Sequence, residues 1–285
     1  MRRLRGLAVL SLVSAPGCSA GDILHVAAAG PIARTEYQLM LFATLIMLMI
    51  VVPVIVMAIL FAWRFRAAAQ HPAHDPEWTA TPKLEVLLWG VPVAIITVLG
   101  TLVWVYTYRL DPYRPLHDGA PPIRVQAVAQ DWKWLFIYPE QHVAAVNELV
   151  IPVDRDISFE ITSDTAMSSF FIPALTGQIY AMAGMRTRLH LRADTLGSFE
   201  GRNAQFTGAG FPEQHFATIV TTKEAFERWI FQATASAARL DMAEYRRLAV
   251  PSIGNPPSRY ALTDDDLFGG ILAQFAPSHT VKGHH

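Results

Sequence analysis

The run YQLMLFATLIMLMIVVPVIVMAILFAW, from Tyr37 to Trp63, contains no charged residue, and neither does VLLWGVPVAIITVLGTLVWVYTY, from Val86 to Tyr108. A helix needs about 20 apolar residues to cross about 30 Å of hydrocarbon. Both runs reach that length, so the sequence predicts two membrane-spanning helices at about residues 37–64 and 85–108. A short loop joins them, which makes residues 37–108 a transmembrane hairpin and puts both ends of the chain on one side of the membrane.

The charges beside the two spans indicate their direction. Arg64, Arg66 and Lys83 lie in the loop between the spans, close to the helix ends, whereas only Arg34 lies between the signal segment and the first span. Two arginines follow the second span, so the bias is modest. Short loops that carry Lys and Arg tend to stay in the cytoplasm. We therefore expect the loop inside the cell and both termini outside.

Residues 1–18 are typical of a bacterial lipoprotein signal peptide. Three arginines within the first five residues precede the apolar run Leu7–Val13, which is too short to span a membrane. Small residues then lead to Cys18, which would carry the lipid after cleavage. The alternative is an ordinary signal peptide cut near Ala20, and either one exports the N-terminus.

The composition agrees with a membrane-anchored protein and argues against several other classes. Hydrophobic residues make up 52% of the chain and charged residues 16%, below the roughly 25% charged residues of an average soluble domain. The net charge is −1, so no polyanion such as a nucleic acid is an expected partner. A single cysteine excludes a disulfide within the chain.

Between residues 122 and 221 the hydrophobic period becomes two. The segments Ile157–Thr162 and Arg186–Ala193 alternate apolar and polar residues. Further strands are predicted at Ile123–Ala129, Trp132–Tyr138, Glu148–Ile151 and Phe216–Thr221. Several short strands broken by Gly, Pro and Asp are typical of an all-β sandwich of about 100 residues. The face that carries Arg186, Arg188 and Arg192 is expected to be solvated, the alternative being contact with an acidic partner.

Residues 222–285 return to helical spacing and form a predicted helical C-terminal tail. Thr221 as N-cap with Glu224 three residues later is a capping-box pattern that predicts the start of a helix. The apolar positions of a first and a second short helix are Phe226, Trp229, Ile230 and Ala233, then Met242, Tyr245 and Leu248. Asp264–Phe275 predicts a last amphipathic segment. Because such short helices do not fold alone, we expect the tail to pack on the sandwich or on a partner.

The order of signal peptide, two-span hairpin and exported β-domain resembles subunit II of the haem–copper oxidases. The segment Gln130–Pro139, QDWKWLFIYP, is similar to the tryptophan-rich strand of that family, and Lys83-Leu84-Glu85 before the second span also fits it. The resemblance covers nearly the whole chain and implies a cupredoxin-like fold for residues 122–221. The expected fold class is a membrane-anchored all-β protein: a two-helix transmembrane hairpin, an exported cupredoxin-like β-sandwich and a short helical C-terminal tail.

Copper ligands distinguish two kinds of subunit II in that family. The cytochrome c oxidases hold a dinuclear copper centre with two cysteines, two histidines and a methionine, and copper electron-transfer centres need such soft thiolate and imidazole ligands. The resemblance places five other residues at those positions, namely Ser168, Asn203, Thr207, Phe211 and Gln214. Because no cysteine follows Cys18, we expect no metal, no cofactor and no catalytic residue in this chain.

Other segments resemble the branch that oxidises quinol, subunit II of the cytochrome o ubiquinol oxidases. They are Met167–Pro173, Gln178–Met185 and Thr187–Leu191. The resemblance implies a complex of the bacterial inner membrane that oxidises ubiquinol, reduces oxygen to water and moves protons outward. In that family, haem b, haem o or haem a, one copper and the quinol site belong to subunit I, and subunits III and IV complete the complex.

The same resemblance implies that this chain caps the outer face of subunit I without a redox centre. Glu85 matches a family glutamate at the entrance of a proton channel, although a carboxylate in the first turn of a helix is also explained by the helix dipole alone. Trp132 matches the family tryptophan that accepts electrons from cytochrome c. Without copper behind it, we expect Trp132 to pack in the core and cytochrome c not to be a donor.

An alternative from another class is an exported β-domain on a membrane anchor that acts as a metallochaperone or an oxidase assembly factor. A metal carrier is expected to cluster Met, His or Cys on the sandwich. Met182 and Met185 are expected on opposite faces of a strand and, with Met167, in the apolar core. His71 and His74 lie three residues apart in the loop between the spans, but histidines beside prolines in a loop are expected to be solvated.

Overall fold

The computed structural model describes residues 28–66, 81–116 and 120–275. Its residues cluster into two compact units, one of residues 34–114 and one that combines the segment before residue 34 with residues from 115 onward. Cys18, His71 and His74 lie outside the described residues.

The first unit consists of two long helices, α1 (Pro31–Arg64) and α2 (Pro82–Arg109). Both are long and apolar enough to cross a membrane, and their apolar side chains are not buried within the protein, as expected of helices that face lipid. The prediction of two long apolar helices is therefore confirmed, although α1 begins six residues earlier and α2 three residues earlier than predicted. Each helix begins with a proline, which is favoured at the first helical position because its missing N–H is not needed there.

The second unit is a β-sandwich, which confirms the predicted fold class. Its described strands are β1 (Ile123–Gln130), β2 (Lys133–Tyr138), β3 (Val143–Val146), β4 (Glu148–Pro152), β5 (Asp156–Ser163), β6 (Ser168–Ile172), β7 (Thr176–Ala181), β8 (Thr187–Arg192), β9 (Gly197–Asn203), β10 (His215–Thr221), β11 (Arg239–Leu240) and β12 (Ser258–Leu262). One sheet has the order β11-β12-β3-β2-β1-β5-β8, and the other β4-β10-β9-β6-β7. Most neighbours are antiparallel, but β1 with β5, β4 with β10 and β11 with β12 are parallel.

An aromatic cluster fills the space between the sheets. The Phe170 ring stacks on Phe216, with centroids 5.4 Å apart, and meets the edge of Trp134 at 5.3 Å. Offset and edge-to-face arrangements are the favoured geometries of aromatic pairs. Tyr138 extends the cluster, and its hydroxyl both donates to the Val150 carbonyl (2.9 Å) and accepts from the Val150 N–H (3.0 Å). This inner core holds the two sheets together.

The tail covers the outer face of the larger sheet, and its first helix also adds Phe226 and Trp229 to the core between the sheets. Its helices are α3 (Lys223–Thr234), α4 (Met242–Leu248) and α5 (Leu267–Ala273). Tyr245 of α4 and Phe268 of α5 pack with Leu135 and Ile137, which point outward from β2. All six residues of β2 are consequently buried. The prediction that the tail packs on the sandwich is confirmed, but its purely helical character is wrong, since it also contributes β11 and β12.

The start of α3 corrects a second prediction. Thr222, not Thr221, is the N-cap, and its hydroxyl oxygen accepts from the Ala225 N–H at 3.3 Å. Thr221 belongs to β10, where it pairs with Pro152. Only Thr221 has a glutamate three residues later, but its pairing in β10 leaves Thr222 to cap the helix.

The segment before α1 is built into the sandwich. The Ala29 N–H donates to the Ala174 carbonyl (2.8 Å), and the Asp194 N–H donates to the Ala29 carbonyl (2.9 Å). A Cβ at Gly30 would lie 2.4 Å from the Arg192 carbonyl oxygen, so only glycine permits this close approach. The N-terminal segment is therefore fixed to the sandwich immediately before the first membrane helix.

One prediction, on the methionines, is wrong, and another, on the solvated face of β8, is correct only in part. Met182 and Met185 do not share a strand, since β7 ends at Ala181, and Met167 and Met185 are 43% and 53% exposed and lie outside the core. On β8 the arginine-rich face is only partly solvated, because His190 is 8% exposed and Arg192 pairs with Asp156 at 2.7 Å. Burial lowers the pKa of His190 below its ordinary value.

Candidate functional site at the loop between strands β9 and β10

Three strands position the residues that were assigned to copper-ligand positions. Asn203 ends β9, and the loop that follows returns to Gln214 just before β10. The Asn203 N–H donates to the Gln214 carbonyl at 2.9 Å, and the Ala204 N–H donates to the carbonyl of Ser169 in β6 at 3.1 Å. These backbone bonds close the loop and hold it against β6.

The loop contains a network of neutral hydrogen bonds. The Asn203 amide Nδ2 donates to Gln214 Oε1 at 2.8 Å and to Thr207 Oγ1 at 3.3 Å, and the Thr207 hydroxyl donates to Gln214 Oε1 at 2.9 Å. Asn203 Oδ1 accepts from the backbone N–H groups of Ser169 (2.7 Å) and Gln205 (3.0 Å). Asn203 and Gln214 are 3% and 2% exposed. Buried polar groups are stable in this way because each has a partner.

Trp132 lies over this loop. Its indole Nε1 donates to the Thr207 carbonyl at 3.1 Å, and a Cβ at Gly210 would lie 2.3 Å from the indole ring. Trp132 has a backbone φ of 63°, a conformation that a bulky residue adopts only when its surroundings hold it there. The side chain is only half-buried, so the prediction that it packs in the core is wrong.

The structure brings Asn203, Thr207 and Gln214 together but leaves the other two predicted residues outside the network. The Ser168 hydroxyl donates to the Ala166 carbonyl at 3.5 Å. Phe211 packs its ring against Phe206, with centroids 5.6 Å apart. The five side chains therefore offer hydroxyl and amide groups and a phenyl ring in place of thiolates, imidazoles and a thioether. This donor set does not fit a dinuclear copper centre.

A second polar cluster, which the sequence did not predict, lies beneath the tail. Gln130 and Tyr245 are each 1% exposed, and the Tyr245 hydroxyl lies near Asp164 and Gln130 without a hydrogen bond to the described residues. Burial and the Asp164 carboxylate raise the pKa of Tyr245 above its ordinary value. Gln214 Nε2 donates to the Gln130 carbonyl at 3.1 Å, which connects this cluster to the loop network.

Lys133 joins the tail to β2 from the same side. Its ammonium Nζ donates to the Val250 carbonyl at 2.9 Å and to Ser252 Oγ at 2.5 Å. The residue is 1% exposed, and burial lowers its pKa although Asp131 and Asp164 raise it. The buried ammonium is thus compensated by hydrogen bonds and nearby carboxylates, as a buried charge requires.

Comparison with known proteins identifies the family. A family model described as the COX Aromatic Rich Motif matches residues 235–279. The chain is 44% identical over 254 residues to cytochrome bo(3) ubiquinol oxidase subunit 2 of Pseudomonas aeruginosa, covering 89% of this chain and 77% of that protein. The chain belongs to the quinol oxidase subunit II family. It is also 41% identical over 275 residues to ubiquinol oxidase subunit 2 of Acetobacter aceti, covering 96% of this chain and 88% of that protein.

The aromatic-rich motif of this subunit II is the part of the tail that covers the outer face of the larger sheet. Residues 235–279 include Tyr245 and Phe268, both of which are buried against β2 and its neighbours. Among solved structures, the periplasmic domain of subunit II of cytochrome oxidase from Bradyrhizobium japonicum matches 39% of this chain and 91% of that domain, with 21% identity and a TM-score of 0.38.

Glu85 lies in the first turn of α2 and is exposed. The Thr81 side chain makes no capping hydrogen bond, although its carbonyl accepts from the N–H groups of Leu84 (2.8 Å) and Glu85 (3.1 Å). A carboxylate in this first turn is favoured by the positive end of the helix dipole. Glu85 is therefore an exposed carboxylate at the end of a candidate membrane span.

Proposed function

We propose that this chain is the non-redox subunit II of a ubiquinol oxidase, a terminal respiratory oxidase of the bacterial inner membrane. Relatives named as ubiquinol oxidase subunit 2 cover most of its length at 44% and 41% identity. The complex would oxidise ubiquinol, reduce oxygen to water and translocate protons outward. This chain would cap subunit I on the periplasmic side.

The observation that carries the non-redox role is the neutral network of Asn203, Thr207 and Gln214. Their amide and hydroxyl groups hydrogen-bond to one another and to backbone N–H groups at 2.7–3.3 Å. A copper centre needs thiolate and imidazole donors, and the positions that the resemblance assigns to them are Ser168, Asn203, Thr207, Phe211 and Gln214. Hydrogen bonding replaces metal binding as the force that fixes this loop.

The partners follow from that assignment. Electrons from ubiquinol would enter subunit I directly from the bilayer, so that no copper relay outside the membrane is needed and cytochrome c is not a donor. Haem b, haem o or haem a, one copper and the quinol site would belong to subunit I, and subunits III and IV would complete the complex.

Three further assignments complete the proposal. Glu85 would stand at the entrance of a proton channel on the cytoplasmic side. Cys18 would carry the lipid anchor after signal cleavage, and the termini and the sandwich would lie in the periplasm. The two candidate spans and the basic loop between them support this orientation.

Oxygen uptake by the chain purified from its own membranes tests the proposal. A C-terminally tagged protein, extracted in mild detergent, is supplied with ubiquinol or with reduced cytochrome c. We expect uptake with ubiquinol alone, in a preparation that contains haem and larger subunits. A protein that comes out alone, without haem and inactive with both donors, would overturn the oxidase role and favour the metallochaperone or assembly factor.

A further inference from the structure

The first tail helix, α3, forms one wall of a pocket with a volume of about 410 Å³. Phe226 and Ile230 are one turn apart on α3, and they line the pocket together with Ile123 at the start of β1 and Pro152 at the end of β4. Pockets of a few hundred Å³ with apolar walls and a few polar groups are typical small-molecule sites. All of the described lining residues belong to the sandwich unit, so the chemistry of the pocket follows from that unit alone.

The charges of the pocket favour an anion. Arg155 and Lys223 line it together with one acid, Glu227, which sets two positive charges against one negative charge. The Lys223–Glu227 pair spans 3.9 Å between exposed side chains, so it holds the ammonium only weakly. The half-buried Arg155 donates to the Pro121 carbonyl at 2.7 Å, and a guanidinium has five N–H donors. Both cations can therefore donate to a bound carboxylate.

The N-terminus of α3 strengthens this preference. Lys223 is the first residue of the helix, so the pocket lies at its N-terminal turn. The first N–H groups of a helix have no acceptor within the helix, and the positive end of the helix dipole attracts anions. The Thr222 side chain caps the Ala225 N–H. A carboxylate in the pocket would thus lie near two cations and the positive end of a helix.

A buried acceptor beside the pocket calls for a hydrogen-bond donor on the ligand. Gln141 ends the short 3-10 helix Pro139–Gln141 after β2, and it lines the pocket. Its Oε1 atom is buried and accepts no hydrogen bond from the described residues, which is a costly state for a polar atom. Because the terminal torsion of a glutamine side chain is broad, the amide can turn toward the pocket with little strain. A hydroxyl on a bound molecule would give this oxygen a donor.

We propose that this pocket binds a small carboxylic acid that has an apolar body and a second, hydroxyl-bearing end. Arg155 and Lys223 bind the carboxylate, and Gln141 Oε1 accepts from the hydroxyl. The apolar body lies against Phe226, Ile230 and their neighbours in the wall. This inference goes beyond the proposed function and depends only on the structure of the sandwich unit.

Ligand-observed NMR with the detergent-solubilised full chain, and whatever subunits co-purify, tests the proposal. The probes are 3-(4-hydroxyphenyl)propionate, 3-phenylpropionate, 3-phenylpropionamide and acetate, and a sample of detergent alone measures partition into micelles. We expect the hydroxylated acid to bind roughly fivefold more tightly than 3-phenylpropionate, the effect of one hydrogen bond. The neutral amide and acetate should each bind at least tenfold more weakly, because one lacks the charge and the other lacks the apolar body.

Three variants divide the site into its parts. Arg155→Gln should weaken binding of 3-phenylpropionate roughly tenfold, the effect of a charge-assisted hydrogen bond. Lys223→Gln should weaken it roughly threefold, because this side chain is 78% exposed. Gln141→Leu should leave 3-phenylpropionate binding unchanged but remove the preference for the hydroxylated acid. Thermal unfolding of each variant establishes that it is folded.

The matched control is Arg228→Gln, which removes a charge from an exposed position on the same helix outside the pocket. It should leave the binding of all four probes unchanged. Equal weakening by Arg228→Gln and Lys223→Gln would show that net charge alone attracts the acid. Acetate binding as tightly as 3-phenylpropionate would show that the apolar wall is not used. Either result overturns the proposal, and so does the absence of binding to the folded protein, including a pocket that a co-purified subunit covers. Ubiquinol-dependent oxygen uptake by the same preparations reports separately on the proposed function.

Discussion

The two faces of β2 are both buried, but they are covered in different ways. On the inner face, Trp134 and Phe136 pack against aromatic rings of the second sheet. Tyr138 on the same face packs its ring against Phe226 and Trp229 of α3. The outer face, with Leu135 and Ile137, packs against helices and a strand of the tail. The inner core is formed mainly by the strands of the sandwich, with Phe226, Trp229 and Ala233 of α3 added to it, whereas the outer core exists only while the tail beyond α3 is docked. The aromatic-rich tail is therefore a structural part of the domain and not an appendage.

A substitution in the inner core should cause the largest loss in the free energy of unfolding. Phe170→Ala removes a fully buried ring that contacts Trp134, Phe159 and Phe216. We expect a loss of about 4 kcal/mol in the free energy of unfolding, the usual cost of such a cavity. Urea unfolding of the detergent-solubilised chain, followed by tryptophan fluorescence, measures it. A loss below 1 kcal/mol would mean that the sheets are not held by this cluster.

A substitution in the outer core should cost less stability and should release the tail before the sandwich unfolds. Phe268→Ala truncates a side chain that is 2% exposed and packs in the outer cluster. We expect a loss of about 3 kcal/mol and, before global unfolding, release of the tail beyond α4. Limited proteolysis should cut Phe268→Ala within residues 249–275 faster than wild type, while Phe170→Ala should be cut throughout the sandwich. Identical cleavage patterns would contradict the difference between the two faces.

The loop network tests whether hydrogen bonding fixes the site that the resemblance assigns to copper. Asn203→Ala leaves the N–H groups of Ser169 and Gln205 without their acceptor, so we expect a loss of about 2 kcal/mol. Gln205→Ala is the control and should change stability by less than 0.5 kcal/mol. Ubiquinol oxidation by the Asn203→Ala enzyme that still assembles should keep its wild-type rate, since no electron passes through the loop. A large fall in that rate would contradict the non-redox role.

The pH dependence of stability reports on two buried tyrosines, Tyr138 in the inner core and Tyr245 in the outer core. Burial raises the pKa of Tyr138 and of Tyr245 above the ordinary value of about 10. Above pH 10 the unfolded chain loses these protons while the folded chain keeps them, so stability falls by about 1.4 kcal/mol per pH unit for each tyrosine. Lys133, whose pKa burial lowers, acts in the opposite sense below about pH 10.5, so the slope is measured above that pH.

Phenylalanine variants separate the two tyrosines at neutral pH. Tyr138→Phe should cost about 2 kcal/mol because the Val150 N–H and carbonyl lose their partner. Tyr245→Phe should be nearly neutral, since its hydroxyl makes no hydrogen bond to the described residues. Each variant should remove one tyrosine's share of the alkaline slope. A Tyr245→Phe variant as costly as Tyr138→Phe would show that the outer hydroxyl is satisfied as fully as the inner one.

The smallest loss of stability is expected at the N-cap of α3. Thr222→Ala removes the acceptor for the Ala225 N–H, so we expect a loss of about 1 kcal/mol. Thr221→Ala, one residue earlier on β10, should cost less than half of that. Thermal unfolding of the two variants side by side measures the difference. A larger loss for Thr221→Ala would restore the N-cap that the sequence motif predicted.

The long apolar helices and six of the twelve described strands, namely β1, β2, β4, β5, β8 and β10, were predicted because their signals are local. The uncharged runs beginning at Tyr37 and Val86 exceed the length of a membrane-spanning helix, and strict alternation in Ile157–Thr162 leaves only one sheet face apolar. The strand Ser258–Leu262 was missed because it pairs with Val143–Val146, far away in the chain. Such long-range pairing is not visible in a short stretch of sequence.

Only part of the site was predictable, for a similar reason. The resemblance identified Asn203, Thr207 and Gln214, which share one short loop, but it did not predict that they bond to one another. Nothing in the sequence indicated that Tyr245 of the tail meets Gln130 and Asp164 of the sandwich, because these residues come from three separate segments. The position of Trp132 was predicted wrongly because an aromatic residue beside a buried strand usually packs in the core. Its positive φ instead directs the side chain over the loop between β9 and β10.

The copper content of the purified complex tests the central claim most directly. Metal analysis and haem extraction on one preparation give the ratio of copper to haem, and electron paramagnetic resonance detects a dinuclear copper signal. The non-redox role of this chain predicts one copper for two haems, the copper of subunit I, with no dinuclear signal. A ratio of three coppers to two haems, or a dinuclear copper signal, would contradict it and would assign a redox centre to this subunit II.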